Sequence, residues 1–244
     1  MDWIPPPKPA DWAEARLIEA ILDGRFPIDS PLPAERELAS MLGVTRPTLR
    51  EALQRMARDG WLEIHQGRAT RVRDYWKEGN LAVLGSIVHH AGHLPAEFVP
   101  NLLKVRMLLA PVYFRQAVEN DPASVMRHLE SLANLPDTPE AFAAADWELH
   151  HRMTVLSGNP VFTLILNGFC DFYQTMALIY FRRPASRLAS RRFYIDLMDA
   201  IQQGDPAMVE EVTRRVMSRS LALWQAATEV IKQEDDDETV ERLG

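Results

Sequence analysis

The sequence predicts a mainly α chain: three helices and a β-hairpin at the N-terminus, then an all-helical bundle of about seven helices. Two observations carry this. Apolar spacing turns from helical to alternating near Trp61, and after Tyr75 the strand-like alternation disappears. Charge divides at the same place. Residues 1–77 hold 12 Lys/Arg and 12 Asp/Glu, whereas residues 78–244 hold 15 and 22 and carry the whole net charge of −7. Two domains are therefore expected, 1–77 and 78–232, with an acidic, disordered tail over 233–244.

The elements follow in order. "PPPKP" is a stiff, extended lead-in. Asp11 suits an N-cap; Trp12, Ala15, Leu17, Ile18, Ile21 and Leu22 then recur at helical spacing until Gly24. A second helix is expected from about Ala34 to Gly43. A third runs from Thr45 or Arg46 to Gly60, with Leu49, Ala52, Leu53 and Met56 on one face. "WLEIH" and "ATRVRDY" alternate as a hairpin joined at Gln66–Gly67–Arg68. Further helices are expected near 79–91, 95–118, 122–134, 138–157, 160–182, 186–203 and 205–232. "SGNP" and "QGDP" mark joints, with Gly ending one helix and Pro starting the next.

Composition narrows the function classes. The chain has 244 residues, 47% hydrophobic and 25% charged, as expected of an ordinary globular protein. The N-terminus lacks the pattern of a signal peptide, and the apolar runs near 161–166 and 176–181 are too short to span a bilayer. The single cysteine, Cys170, excludes an internal disulfide and fits a reducing cytoplasm. No nucleophile–base pair, Gly-rich phosphate loop or paired carboxylate stands out, so an enzyme is not expected.

One segment of the acidic chain is basic: from Arg36 to Arg73 there are eight arginines and four acids. Two short helices around a Gly turn, followed by a hairpin, make a winged helix-turn-helix. Its second helix enters the major groove of double-stranded DNA N-terminus first. Thr45, Arg46, Thr48 and Arg50 occupy the start of that helix. Arginine forks onto guanine or clamps phosphate, and the hydroxyls suit phosphate. Arg36 would reach the flanking backbone, and Gln66–Gly67 at the wing tip would approach the minor groove.

The stretch "PLPAERELASMLGVTRPTLREALQRMARDGWLEIHQG" resembles the GntR superfamily of bacterial transcription regulators. "NLLKVR", "SGNPV", "LILNG", "YF..P" and "S…W" extend the resemblance to its FadR branch, the regulators of fatty acid metabolism. The resemblance implies a homodimer on a palindromic operator, released by long-chain acyl-CoA as effector, with no cofactor and no membrane. It gives DNA contacts to Arg36, Thr45, Arg46, Thr48 and Arg50, with Gly67 in the wing. Two departures bear on the operator sequence. Pro47 stands where a threonine is usual, and the wing reads His65–Gln66–Gly67 where a histidine usually precedes the glycine directly.

The helical part leaves three readings open. Many relatives hold a metal with an Asp and a His four residues apart plus two later histidines. Asp146 and His150 have that spacing, but Tyr194 and Val216 stand where the later ligands would align, so no metal is expected. An apolar run over 161–181 belongs at the bundle centre. Within it Phe162, Phe169, Tyr173 and Tyr180 fall on one stripe, within roughly 20° at about 100° per residue. Such a stripe serves a packed core or an alkyl cavity equally. Arg106 sits on an apolar stripe with Leu102, Leu103, Leu109 and Tyr113, and needs an acid or a ligand anion as partner. Pro111 should kink that helix. By resemblance, Arg106, Tyr180, Ser220 and Trp224 border an acyl-CoA pocket, and Met217 replaces a glycine in its wall. The alternatives are a regulator sensing a small organic acid through a metal, and an acyl-CoA carrier or thioesterase with a vestigial DNA domain.

Overall fold

The computed structural model describes residues 8–65, 67–89 and 97–243. It forms two compact units, Met1–Leu94 and Pro95–Gly244.

In the first unit, α1 (Pro9–Leu22) starts two residues before the expected cap. Proline at the first helical position has its φ already set, so the helix begins there. Asp11 lies inside the first turn and accepts from Arg55 Nη1 at 2.6 Å. α2 (Glu35–Leu42) stops at Gly43, whose φ of 66° is left-handed. α3 (Arg46–Asp59) is capped by Thr45, whose Oγ1 accepts from the Thr48 amide at 3.3 Å. Gly60 ends it with φ 99°, and a Cβ there would lie 2.8 Å from the Gly79 Cα. Both conformation and space demand glycine at that position.

β1 (Leu62–Glu63) and β2 (Arg71–Val72) pair antiparallel, Leu62 opposite Val72. The Pro-rich loop lies along the other side of β2: Asp29 N donates to Val72 O at 2.9 Å and Leu32 N to Thr70 O at 2.7 Å. The hairpin is thereby tied to the body of the unit. Leu17, Ile21, Leu38, Leu49, Leu53, Met56, Trp61 and Val72 form one core. α4 (Tyr75–Glu78) and α5 (Leu81–His89) follow. Val83 and Ile87 of α5 are buried in that same core, which carries the N-terminal unit past residue 77.

The second unit contains α6 (Phe98–Asn120), α7 (Pro122–Ser131), α8 (Pro139–Leu156), α9 (Pro160–Asn167), α10 (Cys170–Phe181), α11 (Pro184–Gln202) and α12 (Pro206–Leu243). Five of these seven begin on a proline. α6 packs along α12, α8 against α10 and α11 against α12, around Phe114, Leu129, Phe142, Leu149 and Phe181. α6 runs on through Pro111, which is buried.

Two expectations are corrected here. The single helix over 160–182 is two helices, divided at Gly168 and Phe169. The tail is helical: α12 continues to Leu243, because no Gly or Pro interrupts residues 207–243.

Candidate functional site

In the first unit, Thr45, Arg46 and Arg50 are exposed at the start of α3, and Thr48 is half-buried. The Thr45 and Thr48 hydroxyls hydrogen-bond each other at 2.8 Å, so part of their capacity is spent on the cap. Arg36 is exposed on α2. Gly67 has φ 72° and open space beside it, which suits close backbone approach. Gln66 lies outside the described residues. One residue that sequence reasoning passed over joins this face. Glu35 accepts from Arg50 Nε at 2.7 Å and lies 3.9 Å from Arg46 Nη2. It is 15 positions from Arg50, so no spacing rule links the two.

In the second unit, Arg106, Phe162, Phe169, Tyr173, Tyr180, Ser220 and Trp224 all border one cavity of about 120 Å³. α6, α8, α9, α10 and α12 contribute to its walls, and Leu102, Leu109, Ile165 and Met176 are among the apolar lining. The division at Gly168 does not scatter the aromatic stripe, since both helices face the same space. α9 is not at the bundle centre. None of its residues is buried: Val161 and Leu164 are exposed, Ile165 and Leu166 border the cavity, and Phe162 both borders it and packs against Tyr113. Met217 is buried in the core.

Arg106 has an acid for a partner. Its Nη2 donates to Asp146 at 3.0 and 3.2 Å and also to His150 Nε2. Guanidinium nitrogen can only donate, so Nε2 accepts, and neutral His150 carries its proton on Nδ1, facing the Tyr113 hydroxyl. Tyr173 donates its hydroxyl proton to Asp146 Oδ2. Elsewhere in the lining Tyr180 Oη donates to Ser220 Oγ at 3.2 Å, and Ser220 donates to the Val216 carbonyl at 2.9 Å. The polar groups are thus confined to two spots in an apolar chamber.

Asp146 and His150 do not fit a metal. The guanidinium already supplies the cation beside them, and Tyr194 and Val216 belong to the apolar core. No cluster of three or more metal-ligating side chains exists among the described residues.

Comparison with known proteins identifies the chain. Residues 9–72 match the family of bacterial regulatory proteins described as gntR, and residues 73–235 match the FadR C-terminal domain. The chain is 40% identical over 217 residues to the fatty acid metabolism regulator protein of Shewanella denitrificans, covering 89% of this chain and 91% of that one. It is 37% identical over 218 residues to the Serratia proteamaculans protein of the same name, covering 89% and 91%. The chain belongs to the FadR family of GntR regulators. These relatives are named as regulators, not enzymes, so the thioesterase reading is set aside. Lar of Listeria monocytogenes, which controls expression of the agr system, shares the fold. Its TM-score is 0.58 at 15% identity, over 90% of this chain and 98% of that one. Among the described residues of this FadR-family chain, no helix is long and apolar enough to cross a membrane.

Burial and protonation are linked in this FadR-type domain. Burial, with Arg106 adding to it, pushes the His150 pKa down to about 3. Burial is the largest single influence and raises Asp146, but Arg106, His150 and the Tyr173 hydrogen bond together outweigh it, and the carboxyl ends below its ordinary value. An unfolded His150 takes up a proton below about pH 6.5, and the folded one does not until about pH 3. Stability from this group is therefore complete above pH 6.5 and is lost as pH falls towards 3, by about 1.4 kcal/mol per pH unit. Urea unfolding from pH 7 to 4 checks this. His150→Gln should flatten the slope by that amount, and an unchanged slope would show that His150 titrates normally.

Proposed function

We propose that the chain binds a palindromic operator as a two-fold homodimer and is released from it by a long-chain acyl-CoA. The observation that carries this reading is the aromatic-walled cavity, with its polar groups restricted to Arg106 with Asp146 and to Tyr180 with Ser220. Apolar cavities of this size stay dry and accept apolar guests. Each buried CH₂ contributes about 0.8 kcal/mol before ordering costs. Arg106 or the Tyr180–Ser220 pair would receive the thioester oxygen. α9, with no buried residue, is the wall that yields to a longer chain.

One recognition helix reads too few base pairs for useful specificity, which favours a dimer on two half-sites. Binding DNA places the protein with the chromosome, in the cytoplasm. The two sites lie in separate units, so the coupling between them is a difference in affinity between two states, and it is reciprocal. Operator DNA must weaken acyl-CoA binding by the factor that acyl-CoA weakens DNA binding.

The test is an anisotropy titration on a fluorescent duplex that the protein itself enriches from a randomised library. A long-chain acyl-CoA should lower the affinity, and a short-chain acyl-CoA and a free fatty acid should act weakly. Saturation should occur at two chains per duplex. If none of the three ligands changes DNA affinity, the sensor reading fails and the cavity is only a gap in the packing of the bundle.

A further inference from the structure

The recognition face carries an acid where charge alone would favour none. Glu35, at the first position of α2, sits against Arg46 and Arg50 of α3. All three side chains are substantially exposed, at 35, 58 and 57%. Ion pairs this exposed add little to folding stability. A carboxylate among phosphate-seeking arginines also weakens binding to any duplex, whatever its sequence. What Glu35 can add is discrimination.

We propose that Glu35 is a positioning residue for base reading by Arg50. Its carboxylate engages Nε at 2.7 Å, which restrains the guanidinium, and among the described residues both outer nitrogens are left to form a fork. Two parallel N–H groups in a set plane match the paired acceptors of a guanine edge. Without that hold, Arg50 is a mobile cation that any phosphate can capture. Arg46 and Arg50 are also one helical turn apart, so like charges repel along the face, and Glu35 offsets this from 3.9 Å. Sequence readout thus depends on a residue that need not touch a base.

This inference rests on the DNA-binding assignment of α3, and the experiment separates the two. Full-length protein is titrated with the library-enriched duplex and with a scrambled duplex of equal length, and the ratio of affinities is read. Glu35→Ala should raise affinity for the scrambled duplex while lowering the ratio by about tenfold for each half-site, one lost arginine fork at each. Glu35→Gln keeps an acceptor for Nε and should retain most of the ratio. Adding Glu35→Ala to Arg50→Ala should lower the ratio no further than Arg50→Ala alone. If Glu35→Ala raises both affinities equally, Glu35 is only a repulsive charge and the proposal is overturned. If Arg50→Ala itself leaves the ratio intact, Arg50 reads no base and the proposal is overturned; the assignment of α3 falls only if Arg46→Ala and Arg50→Ala both keep full affinity.

Discussion

Replacing Arg106 with methionine is expected to destabilise the helical unit by about 3–5 kcal/mol, because it strands a buried carboxylate. Asp146 is 8% exposed and takes its charge balance from Arg106 Nη2 at 3.0 Å. Asp146→Leu should cost a similar amount by stranding the guanidinium. The joint substitution Arg106→Met with Asp146→Leu should recover most of the loss, since two apolar side chains remove both desolvation penalties. Urea midpoints at constant m-value report all three variants. Single-variant costs below about 1 kcal/mol would mean that water entering the cavity already screens the pair. The recovered double variant would also show whether the chamber takes an alkyl guest without its charged spot.

Arg46→Ala and Arg50→Ala are expected to remove specific DNA binding while leaving the helical unit folded. A forked base contact is worth about 1–3 kcal/mol, and a two-fold dimer loses it at both half-sites. Salt dependence separates the roles. A lost phosphate contact lowers the slope of log affinity against log salt by about one, while a lost base contact relaxes specificity at one position. Circular dichroism and urea unfolding serve as the folding control, because Arg46 and Arg50 are exposed and outside the core. Full affinity in both variants would remove α3 from the groove.

Much of the N-terminal unit was legible in the sequence, because its signals are local. Gly43, Thr45 and Gly60 punctuate α2 and α3 within a residue of where composition places them. Asp11 misled because two signals competed. An acid suits a cap, but Pro9 starts the helix earlier, and Asp11 serves Arg55 instead. Val83 and Ile87 show the opposite problem. Their spacing marks a helix, but nothing in it says which core the helix joins. The bundle was legible as helices and less so as lengths. Gly168 divides a run that apolar periodicity alone would continue, and α12 passes through an acidic stretch that composition alone would leave irregular.

By itself the sequence determined the helix order, the basic stretch at the start of α3 and the aromatic stripe, each of which depends on neighbours along the chain or on a helical period, while resemblance supplied the family and singled out Arg106, Tyr180, Ser220 and Trp224. Only the tertiary structure decided what those residues do to one another. Asp146 and His150 were legible as a pair four apart, but their partner is Arg106, 40 and 44 positions away, which makes the site a buried ion cluster. The aromatic stripe was compatible with a core or a cavity until α6, α9, α10 and α12 were seen to stop short of closing over it. Glu35 acquires a role only because α2 and α3 pack against each other and bring it to Arg50. Through-space pairing sets charge, burial and pKa, and periodicity along the chain carries no record of it.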